Sequence, residues 1–377
     1  MFGKRIEVFK LFGIAVRLDL SWVIIAVLVT WSLARGFFPS EYPNLSRAIC
    51  WVMGVAGAVG LFGSILFHEF SHALVARRYG LVIKGITLFI FGGVAEMERE
   101  PSSPKAEFLM AAAGPIASIL LAMACYGTYL AGERAGWPEP PIGVARYLGL
   151  INGLLAAFNL IPGFPLDGGR LLRSVLWVWK RNLRWATRIT SQIGAGFGLV
   201  LIFLGILNML RGEFAGLWWL LIGLFLRDAA TTSYQQLLLR KALEGEPVRR
   251  FMISTPVTVP ASSSIEQLVE GYIYRHHFKM YPVVEDGTLL GCVTIRQVKA
   301  IPRNEWKQHT VREVATPCSP ENTVHPEDDA MKALSTMSRT GDSRLMVVEG
   351  NQLVGIIALK DMLGLLSLKV ELEEPKA

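Results

Sequence analysis

Up to about residue 232 the chain is a succession of long apolar blocks, and beyond that point it turns charged and mixed. About 20 apolar residues are what an α-helix needs to cross the roughly 30 Å hydrocarbon core of a bilayer. No water is there to satisfy backbone groups, so helices are the expected form. The blocks cover residues 20–38, 48–76, 104–130, 144–162, 189–210 and 215–231. They read as six transmembrane helices. In the second block Gly54, Gly57, Gly60 and Gly63 recur at a spacing that lets another helix backbone approach closely. Residues 81–98 differ. Val82, Ile83, Ile86, Leu88 and Ile90 favour strand before Gly92-Gly93, and the stretch is too short and interrupted to span. It is expected to be a strand pair or re-entrant loop, a small membrane-associated β segment.

A net charge of +7 admits a nucleic-acid binder. The basic residues, however, gather beside the apolar blocks, as in Lys180, Arg181, Arg184 and Arg188, which is the positive-inside pattern of a membrane protein. No nucleic acid is expected as a partner. Six spans put both termini on one side. If that side is cytosolic, Lys84, Arg99, Lys105, Arg170, Arg173 and the 180–188 cluster lie inside, and only scattered charges such as Arg47, Arg134, Arg146 and Arg211 remain outside. The expected location is therefore the cell membrane, multi-pass, with the N-terminus and the polar C-terminal part in the cytosol. A cleaved signal peptide ending at Ser32-Leu33-Ala34 is the competing reading of the first block, but its leader would be long and contain Asp19. The four cysteines lack metal-binding spacing and are expected to be free thiols.

Of six histidines, only His68 and His72 lie in the apolar half. They stand in His68-Glu69-Phe70-Ser71-His72. Positions i and i+4 share one face of a helix, so both imidazoles can bind a single ion. Glu69 projects from the neighbouring face, suited to act on a water rather than on the metal. Ionisable groups inside a hydrophobic helix are costly and generally functional. Zinc needs a third protein ligand and an open fourth position. The candidate is Asp167, where Pro162, Gly163, Pro165, Gly168 and Gly169 break the helix. An ordinary turn with Asp167 capping the next helix is the other reading. Asn159 would orient substrate or stabilise an oxyanion, or else tie two helices together. A helical substrate must be unwound before its peptide bond is attacked, and an exposed strand edge in residues 81–98, beside Gly92 and Gly93, would hold it as an added strand.

From about Pro247 the chain contains two weakly similar halves. Tyr281-Pro-Val-Val284, Asp286-Gly287 and Leu290–Ile295 correspond to Leu345-Met-Val-Val348, Glu349-Gly350 and Leu353–Leu359. The repeat predicts paired α+β modules.

His68–His72, Phe91-Gly-Gly-Val-Ala95, Ala113-Gly-Pro115 and the run from Asn159 to Gly168 together resemble the site-2 proteases, in particular the bacterial and archaeal branch with C-terminal CBS domains. The likeness covers nearly the whole chain. It implies a polytopic membrane domain of six helices plus a cytosolic CBS pair. It also implies one zinc per chain on His68, His72 and Asp167, Glu69 as the catalytic residue, and cleavage of transmembrane segments near the cytosolic face. Family substrates include anti-sigma factors, pro-sigma factors and signal-peptide remnants. CBS pairs elsewhere bind adenine nucleotides such as ATP and form dimers. Their ribose-binding signature is Thr or Ser followed three residues later by Asp; here the first half keeps Thr294 but has Gln297, and the second has Ala358 but keeps Asp361.

The expected division is a transmembrane metalloprotease domain over 1–232, a linker over 233–246, and CBS motifs over 247–305 and 306–377. The expected function is an intramembrane zinc metalloprotease modulated by its CBS pair. The alternative is a CBS-regulated transporter or channel, which would not require His68, Glu69, His72 and Asp167 together.

Overall fold

The computed structural model describes residues 5–90, 92–97 and 100–364. Phe91, Glu98 and Arg99 lie outside them, as do residues 365–377 of the second CBS motif. The chain forms two compact units, Met1–Gln235 and Gln236–Ala377.

The first unit opens with a hairpin where the charge pattern indicates only a basic flank. Strand β1 (Arg5–Leu11) turns at Phe12-Gly13 into β2 (Ile14–Asp19). Both turn residues have positive φ, 51° and 76°, the geometry of a tight two-residue hairpin turn. Asp19 then caps α1 (Leu20–Ser32), accepting a bond from the Ser21 amide at 2.9 Å. A π-helical stretch, Leu33–Phe37, leads to α2 (Phe38–Glu41). Next come α3 (Arg47–Arg78), β3 (Ile83–Phe89), β4 (Gly92–Met97), α4 (Pro104–Arg134), α5 (Glu139–Asn159), α6 (Asp167–Lys180), α7 (Leu183–Leu210) and α8 (Gly216–Leu243).

Five stretches are long and apolar enough to cross a membrane: Leu20–Glu41, Arg47–Arg78, Pro104–Arg134, Glu139–Asn159 and Leu183–Leu210. The sixth expected span is helical, but in α8 the apolar run from Gly216 stops at Arg227-Asp228. That run covers about 17 Å at 1.5 Å per residue, little more than half the hydrocarbon core. By length and composition the count among the described residues is five.

The four strands form one sheet in the order β1-β2-β3-β4, with β2 and β3 parallel and the other pairs antiparallel. Its apolar face packs on α3, burying Ile14, Val16, Ile86 and Leu88 against Phe70 and Ala73. The strand pair expected in residues 81–98 is thus half of a larger sheet. A cut after Ala34 would remove two of the four strands, which speaks against the signal-peptide reading. Residues 82–90, the more β-prone part, have neighbours on both sides; among the described residues the free edge of the segment belongs to β4.

Three of the four α3 glycines make close contacts. A Cβ at Gly54 would lie 2.9 Å from Ala34 Cβ, one at Gly57 3.1 Å from Leu33 and one at Gly60 2.7 Å from Leu148. Gly63 faces open space. In α7 and α8, Gly198 packs on Gly223 and Gly205 on Gly216 and Leu220, backbone against backbone, so α8 returns antiparallel alongside α7.

The second unit is an α+β pair of similar halves. The first holds β5 (Val259–Pro260), α9 (Ile265–Leu268), α10 (Tyr274–His276), β6 (Met280–Glu285), β7 (Thr288–Thr294), α11 (Ile295–Val298), α12 (Val311–Val314) and β8 (Thr316–Pro317). The second holds β9 (Thr323–Val324), α13 (Ala330–Thr340), β10 (Arg344–Glu349) and β11 (Gln352–Ala358). Their sheets run β5-β6-β7-β8 and β11-β10-β9. Met280, Leu289, Cys292, Met346 and Ile356 form a shared core between the halves.

One buried ion pair ties α6 to α4 inside the first unit. Arg173, 4% exposed, binds Glu107, 0% exposed, and sits 4.9 Å over the Phe164 ring. Removing one partner of such a pair leaves a buried charge uncompensated. Arg173→Ala should therefore destabilise the protein by about 3–5 kcal/mol, measured by unfolding in detergent, and Arg173→Leu with Glu107→Leu should recover most of the loss.

Candidate metal centre

The centre is built on α3, where one helical turn separates His68 from His72 and their ring centroids lie 4.8 Å apart. The Nε2 atoms point at each other at 3.1 Å. Asp167 Oδ2 completes a triangle, 3.0 Å from His68 Nε2 and 3.1 Å from His72 Nε2.

The break after α5 brings Asp167 there. Leu166 is the N-cap of α6 and makes no side-chain cap bond, so Asp167 is the first helical residue. Its carboxylate turns to the histidines instead of capping the helix. Gly168 and Gly169 allow this. A Cβ at Gly168 would strike the Leu160 and Ile161 carbonyls, and one at Gly169 the Gly163–Phe164 backbone. Asn182, not Asp167, supplies a helix cap nearby, accepting from the Trp185 amide at 3.0 Å.

The opposite ring nitrogens are also held. His72 Nδ1 lies 2.7 Å from the Met110 carbonyl, which can only accept, so Nδ1 carries a proton and the lone pair of the neutral ring is at Nε2. His68 Nδ1 lies 2.9 Å from Ser118 Oγ.

The donor set fits a divalent cation. Two imidazoles and a carboxylate form the mixed N/O set of a catalytic zinc site, and bonds of about 2.0 Å imply ligand–ligand edges of about 3.3 Å in a tetrahedron. The observed edges are slightly shorter. Gly114 on α4 supplies the space: a Cβ there would run into Nε2 of both histidines. Among the described residues these three are the only cluster of its kind.

A cavity of about 220 Å³ opens on this triangle. Glu69 lines it, flanked by β4, and a Cβ at Gly93 would lie 2.6 Å from Glu69 Cγ. Asn159, the last residue of α5, reaches the same cavity, and its side chain has no hydrogen-bond partner among the described residues. Helix pairing by asparagine belongs instead to Asn152, which is buried and donates to Ser64 Oγ at 3.0 Å. Gly92 does not line the cavity. With φ +133° it opens β4 in a backbone conformation that L side chains rarely adopt. Ser118, Met110, Glu107 and Arg173 do not stand out for the site in the sequence, nor do the cavity residues Arg170 and Phe225. Their one signal is Glu107 and Arg173, ionisable groups placed among apolar stretches.

The two residues expected to hold nucleotide fall in different cavities of the second unit. Thr294 lines one of about 300 Å³, with Lys279, Arg296, Asp342 and Arg344. Asp361 lines another of about 180 Å³, with Phe278, Lys360 and Arg344. The Thr294 hydroxyl donates to Gln297 Oε1 at 2.9 Å, and the Gln297 amide donates onward to the Val314 carbonyl and Thr316 Oγ1. Gln297 is thus engaged inside its own module. Burial pushes the Cys292 thiol beside Thr294 up to about 11, so it is no ready nucleophile.

The chain is similar to known proteins over nearly its whole length. The model of peptidase family M50 matches residues 56–136 and 138–205, and that of the CBS domain matches 248–302 and 311–368. Rip3 of Mycobacterium tuberculosis, named as a candidate zinc metalloprotease, is 34% identical over 94% of this chain and 90% of its own length. The zinc metalloprotease MJ0392 of Methanocaldococcus jannaschii is 29% identical over 98% of this chain and 99% of its own. A solved site-2 protease from Methanocaldococcus jannaschii covers 61% of this chain and 94% of its own, with 28% identity and a TM-score of 0.42.

Gly114→Ala puts a methyl group where the Nε2 atoms meet. It should abolish stoichiometric zinc in purified protein, measured by mass spectrometry. Gly127→Ala on the same helix, with nothing within 4 Å of its Cβ, should bind as wild type does.

Proposed function

The chain belongs to peptidase family M50, the site-2 proteases, as a zinc metalloprotease with a C-terminal CBS pair, and we propose that it cleaves transmembrane segments of other membrane proteins. The observation that carries this reading is the triangle of His68, His72 and Asp167 with Glu69 beside it, in a unit with five candidate spans.

In this reading His68, His72 and Asp167 hold one zinc ion. When bound, zinc polarises a carbonyl and lowers the pKa of its water to about 7. Glu69 takes the proton from the attacking water and afterwards delivers it to the leaving amine. Asn159, with its amide unengaged, orients the substrate or donates to the developing oxyanion. The substrate enters as an extended strand along the free edge of β4, next to the cavity that Gly93, Val94 and Ala95 line. Pairing there supplies new partners for backbone groups that unwinding sets free. Gly93 keeps that approach clear beside Glu69.

The protein is a multi-pass membrane protein, and the charge asymmetry favours a cytosolic N-terminus, active-site opening and CBS pair. Helix α8 runs antiparallel to α7, back toward the side on which the chain began. Substrates such as anti-sigma or pro-sigma factors or signal-peptide remnants suit the family. The CBS pair is proposed to modulate cleavage, as a homodimer and with an adenine nucleotide. CBS domains of two other proteins have been solved in complex with ATP and with AMP. Of the two cavities, the one with Asp361 is the better nucleotide candidate. The Asp361 carboxylate has no hydrogen-bond or ion-pair partner among the described residues, while Thr294 is engaged by Gln297.

Glu69→Gln should keep about one zinc per chain, which His68→Ala and Asp167→Ala should lose, yet cleave a transmembrane substrate about 10²–10⁴-fold more slowly in proteoliposomes. An active Glu69→Gln would refute the assignment. Val94→Pro, on the edge strand, should raise KM for a transmembrane substrate with zinc retained. ATP that changes cleavage by the full chain, and not by a form ending near residue 245, would establish nucleotide control.

A further inference from the structure

Helix α4 presents three successive turns to the two histidines. Met110 gives its carbonyl to His72, Gly114 leaves room for both Nε2 atoms, and Ser118 gives its hydroxyl to His68. The residues are spaced i, i+4, i+8, which is one face of a helix.

Ser118 is unusual among the hydroxyl residues of this unit. A serine or threonine in an apolar helix normally satisfies itself on the carbonyl four residues back. Thr30, Ser64, Ser71, Thr128 and Thr187 all do so, at 2.8–2.9 Å. Ser118, 0% exposed, instead makes its hydrogen bond across to His68 Nδ1 at 2.9 Å, on a helix fifty residues away in sequence.

The two histidines therefore have different partners on their outer nitrogens. The Met110 carbonyl can only accept, which fixes His72 with its proton on Nδ1. A hydroxyl can donate or accept, so Ser118 can satisfy His68 in either tautomer. Without metal, His68 can carry its proton on Nε2 and donate to Asp167 Oδ2, while Ser118 donates to Nδ1. With metal, Nε2 must present its lone pair, the proton sits on Nδ1, and Ser118 accepts from it. Ser118 is shielded from bulk solvent, so its hydroxyl is the partner at hand for Nδ1.

We propose that Ser118 is a positioning residue that stabilises the metal-competent tautomer and ring orientation of His68. This rests on the reading of His68, His72 and Asp167 as zinc ligands. A second partner of this kind typically contributes a factor of 10–100 to metal affinity.

The test is zinc affinity of the full-length protein in detergent, by competition with a chelator, independently of cleavage. Ser118→Ala should weaken zinc binding by about 10–100-fold, and Ser118→Cys, nearly isosteric but a poor acceptor, should behave alike. Ser118→Thr, which keeps the hydroxyl, should remain much closer to wild type. Unfolding temperatures of the apo variants identify any that fail to fold, and the comparison is made on those that match wild type. Unchanged affinity in Ser118→Ala and Ser118→Cys overturns the role of Ser118, provided His68→Ala loses zinc. Tighter binding in Ser118→Ala also overturns it, since Ser118 would then favour the metal-incompetent tautomer. If His68→Ala retains wild-type affinity, the metal-centre reading itself fails.

Discussion

Three electron-pair donors held about 3 Å apart in an apolar bundle repel one another and are costly to desolvate, and the first unit is organised around keeping them there. Only a cation, or protons shared among them, relieves the repulsion. Helical periodicity alone brings the two imidazoles together. The third donor is harder to place, because it must arrive from a separate part of the chain without water as a solvent.

Backbone proximity solves this. Gly114 lets α4 approach α3 at the donors, Gly168 and Gly169 let α6 start against the preceding loop, and Gly194 lets α7 press on Phe164. At each of these places a methyl group would run into neighbouring backbone or, at Gly114, into the two imidazoles. The Glu107–Arg173 pair adds a directional lock between α4 and α6 where small residues alone would allow sliding. Close packing thus sets the distance between helices, and the ion pair sets their register.

The membrane blocks, the two histidines, Glu69 and the paired C-terminal modules were legible because each leaves a local periodic or compositional mark. Asp167 was legible as a candidate, but its competing role as a helix cap was resolved only by where the carboxylate points. The β1–β2 hairpin leaves a weaker mark, because basic residues beside a span also signal topology; its trace is the alternation of Ile6 with Val8 and of Phe9 with Leu11, across a bulge, before Phe12-Gly13. The edge of the sheet could not be assigned, because strand order depends on a parallel pairing of Val16–Leu18 with Ile86–Leu88 that no local pattern announces. Ser118 and Met110 carry no signal of their own: one looks like any small residue in a span, and the other acts through its main chain.

The ninety-nine-residue separation of His68 and Asp167 also has a temporal meaning. Chains emerge from the ribosome at about 5–20 residues per second. The two histidines and Glu69 are therefore made several seconds before the carboxylate that completes their site. During that interval α4 and α5 must be threaded into the bilayer, and α6 must begin. A nascent chain stalled anywhere in that stretch has His68, Glu69 and His72 but not yet Asp167. Sequence distance thereby separates in time the synthesis of the two parts of the triangle.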